Sequence, residues 1–304
     1  MIEVKGLTKR FDETVAVDDL TFTVKPGLVT GFLGPNGAGK TTTMRVILGL
    51  HAATRGTATI GGRRYADLPA PMREVGALLD AHAVHDSRRA EDHLLCLALS
   101  NGIPRWRVPE VLQLVGLDRV AHRRVRTFSL GMYQRLGIAA ALLGDPACLI
   151  FDEPINGLDP EGIMWVRTLA RRLADEGRTV LISSHLMSEI ALTADHLVII
   201  GRGRLLADSG VNELMGRTTR PKVLVRTAQA GTFARRLAAR GAEVRREPDG
   251  GLLVTGLDST EIYRLAAADG AVLAELTPHR ASLEQIFMEL TRDSVQFNVT
   301  EGAA

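Results

Sequence analysis

The sequence predicts a parallel α/β domain followed by a smaller α+β domain, on three observations. Apolar strand-like runs, VTGFLG, ACLIFDEP and RTVLISSH, alternate with helix-like stretches, the pattern of a parallel sheet covered on both faces. A glycine loop joins the first of these runs to a helix beginning at TTTMRVILGL. Near Arg217 the composition shifts to elements that are all short.

Each element has a local reason. IEVKGL, VAVDDLTFTV and TATIGG are strand-like, with turns at Lys25-Pro26-Gly27 and Gly61-Gly62. From about Ala81 to Arg126 the pattern turns helical, with AEDHLLCLALSNG and WRVPEVLQLVGL carrying apolar residues at helical spacing. LGIAAALLGD is a buried helix ending at Asp145-Pro146, and WVRTLARRLADEG an amphipathic one ending at Gly177. From Lys222 onward, KVLVRT, FARRLAARG, AEVRRE, GLLVTG, EIYRLAAADG and AVLAELTP run strand, helix, strand, strand, helix, strand. A helix at SLEQIFMELT closes the series, and its apolar residues Leu283, Ile286, Phe287 and Leu290 are expected to pack on that domain's own sheet. GRTTRP is expected to be the linker, and the tail beyond Arg292 to be frayed.

With 45% hydrophobic and 24% charged residues, the 304-residue chain is globular rather than disordered. Its net charge of +2 gives no basic field that would call for nucleic acid. Cys96 and Cys148 match neither a redox pair nor a zinc pattern and are expected to be buried and inert. No charged-then-apolar leader opens the sequence, and no apolar run approaches the roughly 18 to 20 residues of a membrane helix, so a cytoplasmic protein is expected. Asn298-Val299-Thr300 matches a glycosylation acceptor, a match without meaning in that compartment.

GPNGAGKT, Gly34 to Thr41, fits G-x-x-x-x-G-K-[ST] between a strand and a helix. Glycines let the backbone wrap phosphates with its N–H groups, Lys40 adds a charge at the terminal oxygens, and the Thr41 hydroxyl suits Mg²⁺. CLIFDE ends an apolar strand on Asp152, placed to hold Mg²⁺, and Glu153, placed to take a proton from water. His185 ends VLISSH, at the strand edge where ligands bind in such sheets. FSLGMYQR, residues 128 to 135, sets Ser129 and Gly131 at a second helix start suited to an anion.

Taken in order, GPNGAGKTT, FSLGMYQR, LIFDE, GLDP and SSH resemble the Walker A, signature, Walker B, D-loop and switch histidine of ABC transporter ATP-binding cassettes. The resemblance covers residues 1 to about 215. It implies a P-loop NTPase cassette: a parallel core sheet with helices, an N-terminal antiparallel β subdomain and a helical subdomain at about 81–145. Domains are then expected at 1–216 and 217–293, with a disordered tail at 294–304. ATP and Mg²⁺ are the implied cofactors, with hydrolysis carried by Lys40, Glu153 and His185. Phe11, Val17, Gly34, Asn36, Gly37, Ala38, Gly39, Thr41 and Thr42 are the further ATP-binding positions, and Phe11 reads either as an adenine platform or as core. In this family two cassettes pack head to tail, so Ser129, Leu130 and Gly131 would close over the nucleotide of a second copy, with Asp159 across the same interface. A separate membrane permease is the implied partner, holding the subunit at the inner face of the cell membrane.

Two positions depart from the family. The usual LSGGQ is here Phe128-Ser129-Leu130-Gly131-Met132, similar to variants in bacitracin- and lantibiotic-resistance cassettes, which points to an exporter of antibiotic, peptide or drug. Asp80, in LLDAHAVHD, stands where the family has a glutamine; it is a candidate Mg²⁺ ligand, and its lack of a donor predicts slower hydrolysis. His82 and His85 read as a metal pair or, preferably, as solvated loop residues; Arg123, Arg124 and Arg126 as a partner or lipid contact or, preferably, as a solvated face. The competing functions are a soluble ABC ATPase acting on ribosomes or nucleic acid and a nucleotide sensor that scarcely hydrolyses ATP; the absence of a second cassette or long coiled coil opposes the first and Glu153 the second.

Overall fold

The computed structural model describes residues 1–217, 222–279 and 283–291. They fall into two compact units, residues 1–211 with Leu290 and Thr291, which hold two sheets, and residues 212–289, which hold one.

In the first unit, β1 (Ile2–Phe11) and β2 (Thr14–Val24) form an antiparallel pair with a tight turn at Asp12. Then come β3 (Val29–Leu33), α1 (Lys40–Ile47), β4 (Arg55–Ile60), the short α2 (Pro71–Glu74) and β5 (Val75–Leu78). A helical stretch follows, made of α3 (Ala90–Ser100), α4 (Arg107–Leu114) and α5 (Leu130–Leu142). The chain then alternates through β6 (Cys148–Phe151), α6 (Pro160–Asp175), β7 (Thr179–Ser184), α7 (Met187–Thr193), β8 (His196–Gly201) and β9 (Arg204–Gly210).

The core sheet runs β5-β6-β7-β3-β8-β9, parallel except for β9, which pairs antiparallel with β8. β3, β6 and β7 are buried along their whole length, as strands covered on both faces must be. A separate antiparallel sheet, β2-β1-β4, shares one core with it: Ile2, Val4, Leu20 and Phe22 meet Phe32, Met44, Ile150 and Val198. Phe22 stacks on Phe32 with ring centroids 5.3 Å apart. Parallel pairing puts the carboxyl ends of β3, β5, β6 and β7 on one edge, and that edge presents Gly34, Asp80, Asp152 and His185.

The helical expectation for 81 to 126 needs correction at its start, because helix begins only at Ala90. Between them side chains hold the backbone in turns: Asp80 Oδ1 accepts from the His82 N–H at 2.8 Å, and the His85 ring bonds to Ser87 Oγ at 2.8 Å. Such local bonds compete with the helical ladder. Cys148 is buried, with its thiol pKa pushed up to about 12 by desolvation, whereas Cys96 on α3 is exposed, against expectation.

The second unit carries α8 (Val211–Arg217) from Asn212 on, β10 (Lys222–Thr227), α9 (Ala230–Ala239), β11 (Glu243–Arg246), β12 (Leu252–Thr255), α10 (Ser259–Asp269), β13 (Leu273–His279) and α11 (Leu283–Thr291) as far as Glu289. Its sheet, ordered β11-β12-β10-β13 and antiparallel throughout, has the split βαβ arrangement. Phe233 and Leu237 of α9 and Ile262 and Ala266 of α10 pack with Val223, Val225, Leu252 and Val254. Asp258 and Glu261 form a reciprocal capping box that fixes the start of α10. Leu283, Ile286 and Phe287 are buried. Of the expected linker GRTTRP, the first two residues, Gly216 and Arg217, belong to α8, and 218–221, like the tail beyond Arg292, lie outside the described residues.

Candidate functional site

The loop between β3 and α1 is shaped by close backbone approaches that only glycine permits. Gly39 has φ +102, and a Cβ there would lie 2.5 Å from the Ala16 carbonyl oxygen; at Gly34 it would lie 2.6 Å from that of Ile200. The loop is also clamped from outside. Gly203 donates its N–H to the Ala38 carbonyl at 3.0 Å, and Asp18 donates to the Gly203 carbonyl at 2.9 Å. No side chain caps α1 and its first turn holds no acid, so the positive end of the helix faces the loop unneutralised.

Lys40 Nζ donates to the Gly34 carbonyl at 2.7 Å and lies 3.7 Å from Glu153 Oε1. Desolvation pulls the Lys40 pKa below the ordinary lysine value, opposed by the charges of Glu153 and Asp152. Thr41 Oγ1 donates to Asp152 Oδ2 at 2.6 Å. These two hard oxygens at one point suit a small divalent cation that takes its other ligands from phosphates and water. Among the described residues no group of three or more His, Cys, Asp or Glu could hold a metal.

Glu153 sits in the left-handed region at φ +49, rare for a residue with a side chain. Three hydrogen bonds, from two residues, hold it there. Its N–H donates to Ser183 Oγ at 2.8 Å, its Oε2 is 2.8 Å from His185 Nδ1, and the His185 N–H reaches the same oxygen at 3.3 Å. Ser183, fully buried in β7, donates its own hydroxyl to Asp152 Oδ1. The sequence reading missed Ser183; its place one residue beyond the β7 partner of Phe151 puts it level with Asp152 and would have found it.

The structure thus brings together Lys40, Thr41, Asp152, Glu153 and His185. The glycine-loop positions from Gly34 to Thr42 adjoin them, with Gly34 bonded to Lys40, and the remaining positions stand apart. Val17 has no exposed surface and lies against Gly39 from below, where a Cβ would be 3.4 Å from its Cγ2, so it supports the loop rather than reaching a ligand. Phe11 is 41% exposed, edge-on to the His51 ring at 5.4 Å and 4.6 Å from Lys9 Nζ, which rules out the core alternative. Asp80 bonds within its own turn. His82 stacks near Tyr133 while His85 bonds Ser87, so the pair does not converge on one point. Arg123, Arg124 and Arg126 are exposed.

The second helix start has neighbours of its own. Ser129 caps α5, accepting from the Met132 N–H at 3.3 Å, and Asp159 caps α6, accepting from Gly162 at 2.9 Å. A Cβ on Gly131 would lie 3.3 Å from Leu158 Cδ2, and one on Gly157 only 2.0 Å from Leu130 Cδ2. Leu130 and Gly131 therefore pack against the turn between Glu153 and Asp159.

A family profile described as ABC transporter matches residues 17–156, and one described as a domain of unknown function matches 221–284. The chain is 43% identical over 220 residues to the bacitracin transport ATP-binding protein BcrA of Bacillus licheniformis, covering 71% of this chain and 72% of that protein. It is 32% identical to the daunorubicin/doxorubicin resistance ATP-binding protein DrrA of Streptomyces peucetius, covering 100% of this chain and 96% of that one. A solved ATP-binding subunit of an ABC transporter superposes with a TM-score of 0.66 at 30% identity, over 71% of this chain and 92% of its own.

Proposed function

The chain belongs to the ABC transporter family as an ATP-binding subunit, and from that premise we propose that it hydrolyses ATP to drive a separate membrane permease exporting an antibiotic, peptide or drug. The observation that carries the hydrolytic part is Glu153, fixed between Lys40 and His185 beside the Thr41–Asp152 pair.

The backbone of Gly34–Thr42, with Asn36, Gly37, Ala38 and Gly39 forming the turn, cradles the phosphates, and Lys40 transfers its hydrogen bond from the Gly34 carbonyl to a terminal phosphate oxygen. Thr41 and Asp152 would hold Mg²⁺, which when bound offsets the charge that builds up on those oxygens. Glu153 accepts the proton of the attacking water, a role worth about 10²- to 10⁴-fold in rate. His185, anchored to Glu153 through Nδ1, presents Nε2 to the terminal phosphate. Phe11 offers an open ring for the adenine.

Ser129, Leu130 and Gly131 serve the nucleotide of a second copy, with Asp159 alongside; the packing of Leu130 and Gly131 on the turn that leads to Asp159 supports this reading. Charge-assisted hydrogen bonds of about 1.5 to 3 kcal/mol each let the nucleotide hold two copies together until it is cleaved. No helix among the described residues is long and apolar enough to cross a membrane. A groove beside Asp80, lined by Leu48, Leu50, Leu79, Val84, His93 and Leu97, is where the permease docks. Export of antibiotics or drugs is supported by the likeness to BcrA and DrrA over most of their lengths.

Glu153→Gln tests the core of the reading. With ATP and Mg²⁺, hydrolysis should fall by about 10²- to 10⁴-fold while the protein, weighed alone and with its permease, becomes a stable cassette dimer. Unchanged hydrolysis, or a solitary cassette under both conditions, overturns it.

A further inference from the structure

The start of α5 and the turn after Glu153 are built as one piece. Leu130 and Gln134 lie one helical turn apart on the same face of α5, and with Gly131 they meet three consecutive residues: Asn156, Gly157 and Leu158. Gly157 has φ +71, and the space a Cβ would take there is filled by Leu130, whose Cδ2 and Cγ would lie 2.0 and 2.9 Å from it. Leu130 is therefore fitted to a glycine in a left-handed turn. Gln134, 7% exposed, reaches the Asn156 carbonyl through Nε2 at 3.5 Å, and its Oε1 has no partner among the described residues. The turn itself is short and internally bonded. Asn156 donates to the Glu153 carbonyl at 3.2 Å and Leu158 to that of Ile155 at 3.2 Å. A displacement at Gly157 has little slack to absorb it before it reaches Glu153.

We propose that Leu130 is a positioning residue for Glu153: by seating on Gly157 it makes the residues that close over a partner's nucleotide also set the general base of their own copy. This rests on the shared-pocket reading above. Each pocket in that reading combines one copy's Glu153 with the other copy's signature, so Leu130 acts on two pockets by two routes. Its backbone serves the partner's pocket, and its side chain serves its own.

Mixed dimers of the full chain, assembled with the permease from two differently tagged copies, separate the routes. In the first arrangement one copy carries Leu130→Gly and the other Glu153→Gln, so the one working base belongs to the Leu130→Gly copy and its pocket is closed by an unaltered signature. Relative to a dimer carrying Glu153→Gln alone in one copy, turnover should fall about 5- to 100-fold, ATP affinity should hold, and Leu130→Met should restore the rate. In the second arrangement both changes lie in one copy, which reports the backbone route. Gly157→Ala in place of Leu130→Gly disturbs the same contact from the other side, and should reproduce the loss in the first arrangement. Full turnover there with both variants, or a loss confined to the second arrangement, overturns the proposal. If pockets are not shared, the control dimer itself fails to form with ATP, a different result.

Discussion

Replacing Ser183 by alanine should both loosen the fold and slow the chemistry. The hydroxyl is fully buried and joins two groups: it donates to Asp152 Oδ1 and accepts the Glu153 N–H at 2.8 Å. The bond to a carboxylate is worth about 1.5 to 3 kcal/mol and the neutral one about 0.5 to 1.5 kcal/mol, so the loss sums to roughly 2 to 4.5 kcal/mol. Denaturant unfolding without nucleotide reads that figure. Glu153 also loses the bond that holds its backbone at φ +49, a conformation costing about 1 to 2 kcal/mol, and it should relax away from the water it activates. A fall in kcat of about 10- to 100-fold, at near-constant affinity for ATP, is expected from such a shift. Stability within about 0.5 kcal/mol of the parent, together with kcat within twofold, would refute the assignment of Ser183 as the brace between the two carboxylates.

Two further substitutions probe the neighbouring turn and groove. Asp80→Gln supplies an amide that donates as well as accepts, and should raise steady-state hydrolysis by about two- to tenfold and alter its Mg²⁺ dependence; no change in either measurement removes Asp80 from the site. His93 lies buried, with Nδ1 unpartnered among the described residues, and desolvation and then Arg88 hold its pKa below the ordinary imidazole value. The unfolded chain therefore binds a proton near pH 6.5 that the folded chain resists, so stability is full above that pH and declines as pH falls through it, down to the folded pKa. His93→Phe should lose less Tm than the parent between about pH 7.5 and about pH 5.5, and an equal loss in both proteins counts against the burial of a neutral ring.

Regular elements were legible because their causes are local. The apolar runs of β3, β6 and β7, the amphipathic stretch of α6 from Trp165 to its stop near Gly177 and the alternation after Lys222 are each decided within a few residues, while the extension of α6 back to Pro160 was not read. Lys40, Thr41, Asp152 and His185 were legible for the same reason, since each stands at a fixed offset from a strand end. What escaped was set across strands or by side chains bonding to backbone. Ser183 gains its role only from the register of β6 against β7. Val17 occurs in a strand whose exposed and buried positions shift at bulges, so its burial does not follow from alternation. The turns at 81–89 arise from bonds made by Asp80, His85 and Ser87, which helical periodicity does not register. Leu130 departs from the family's glycine where Gly157 stands opposite it, a pairing that no local pattern registers.

The clamp on the glycine loop has a consequence for how the protein spends motion. With Gly203 bonded to Ala38 on one side and the Ala16 carbonyl pressed against Gly39 on the other, the anion nest is rigid before any guest arrives. Little entropy is left to lose on capture. Whatever mechanical stroke the cycle delivers must then originate outside that nest, in parts of the chain that are free to swing around a fixed anvil.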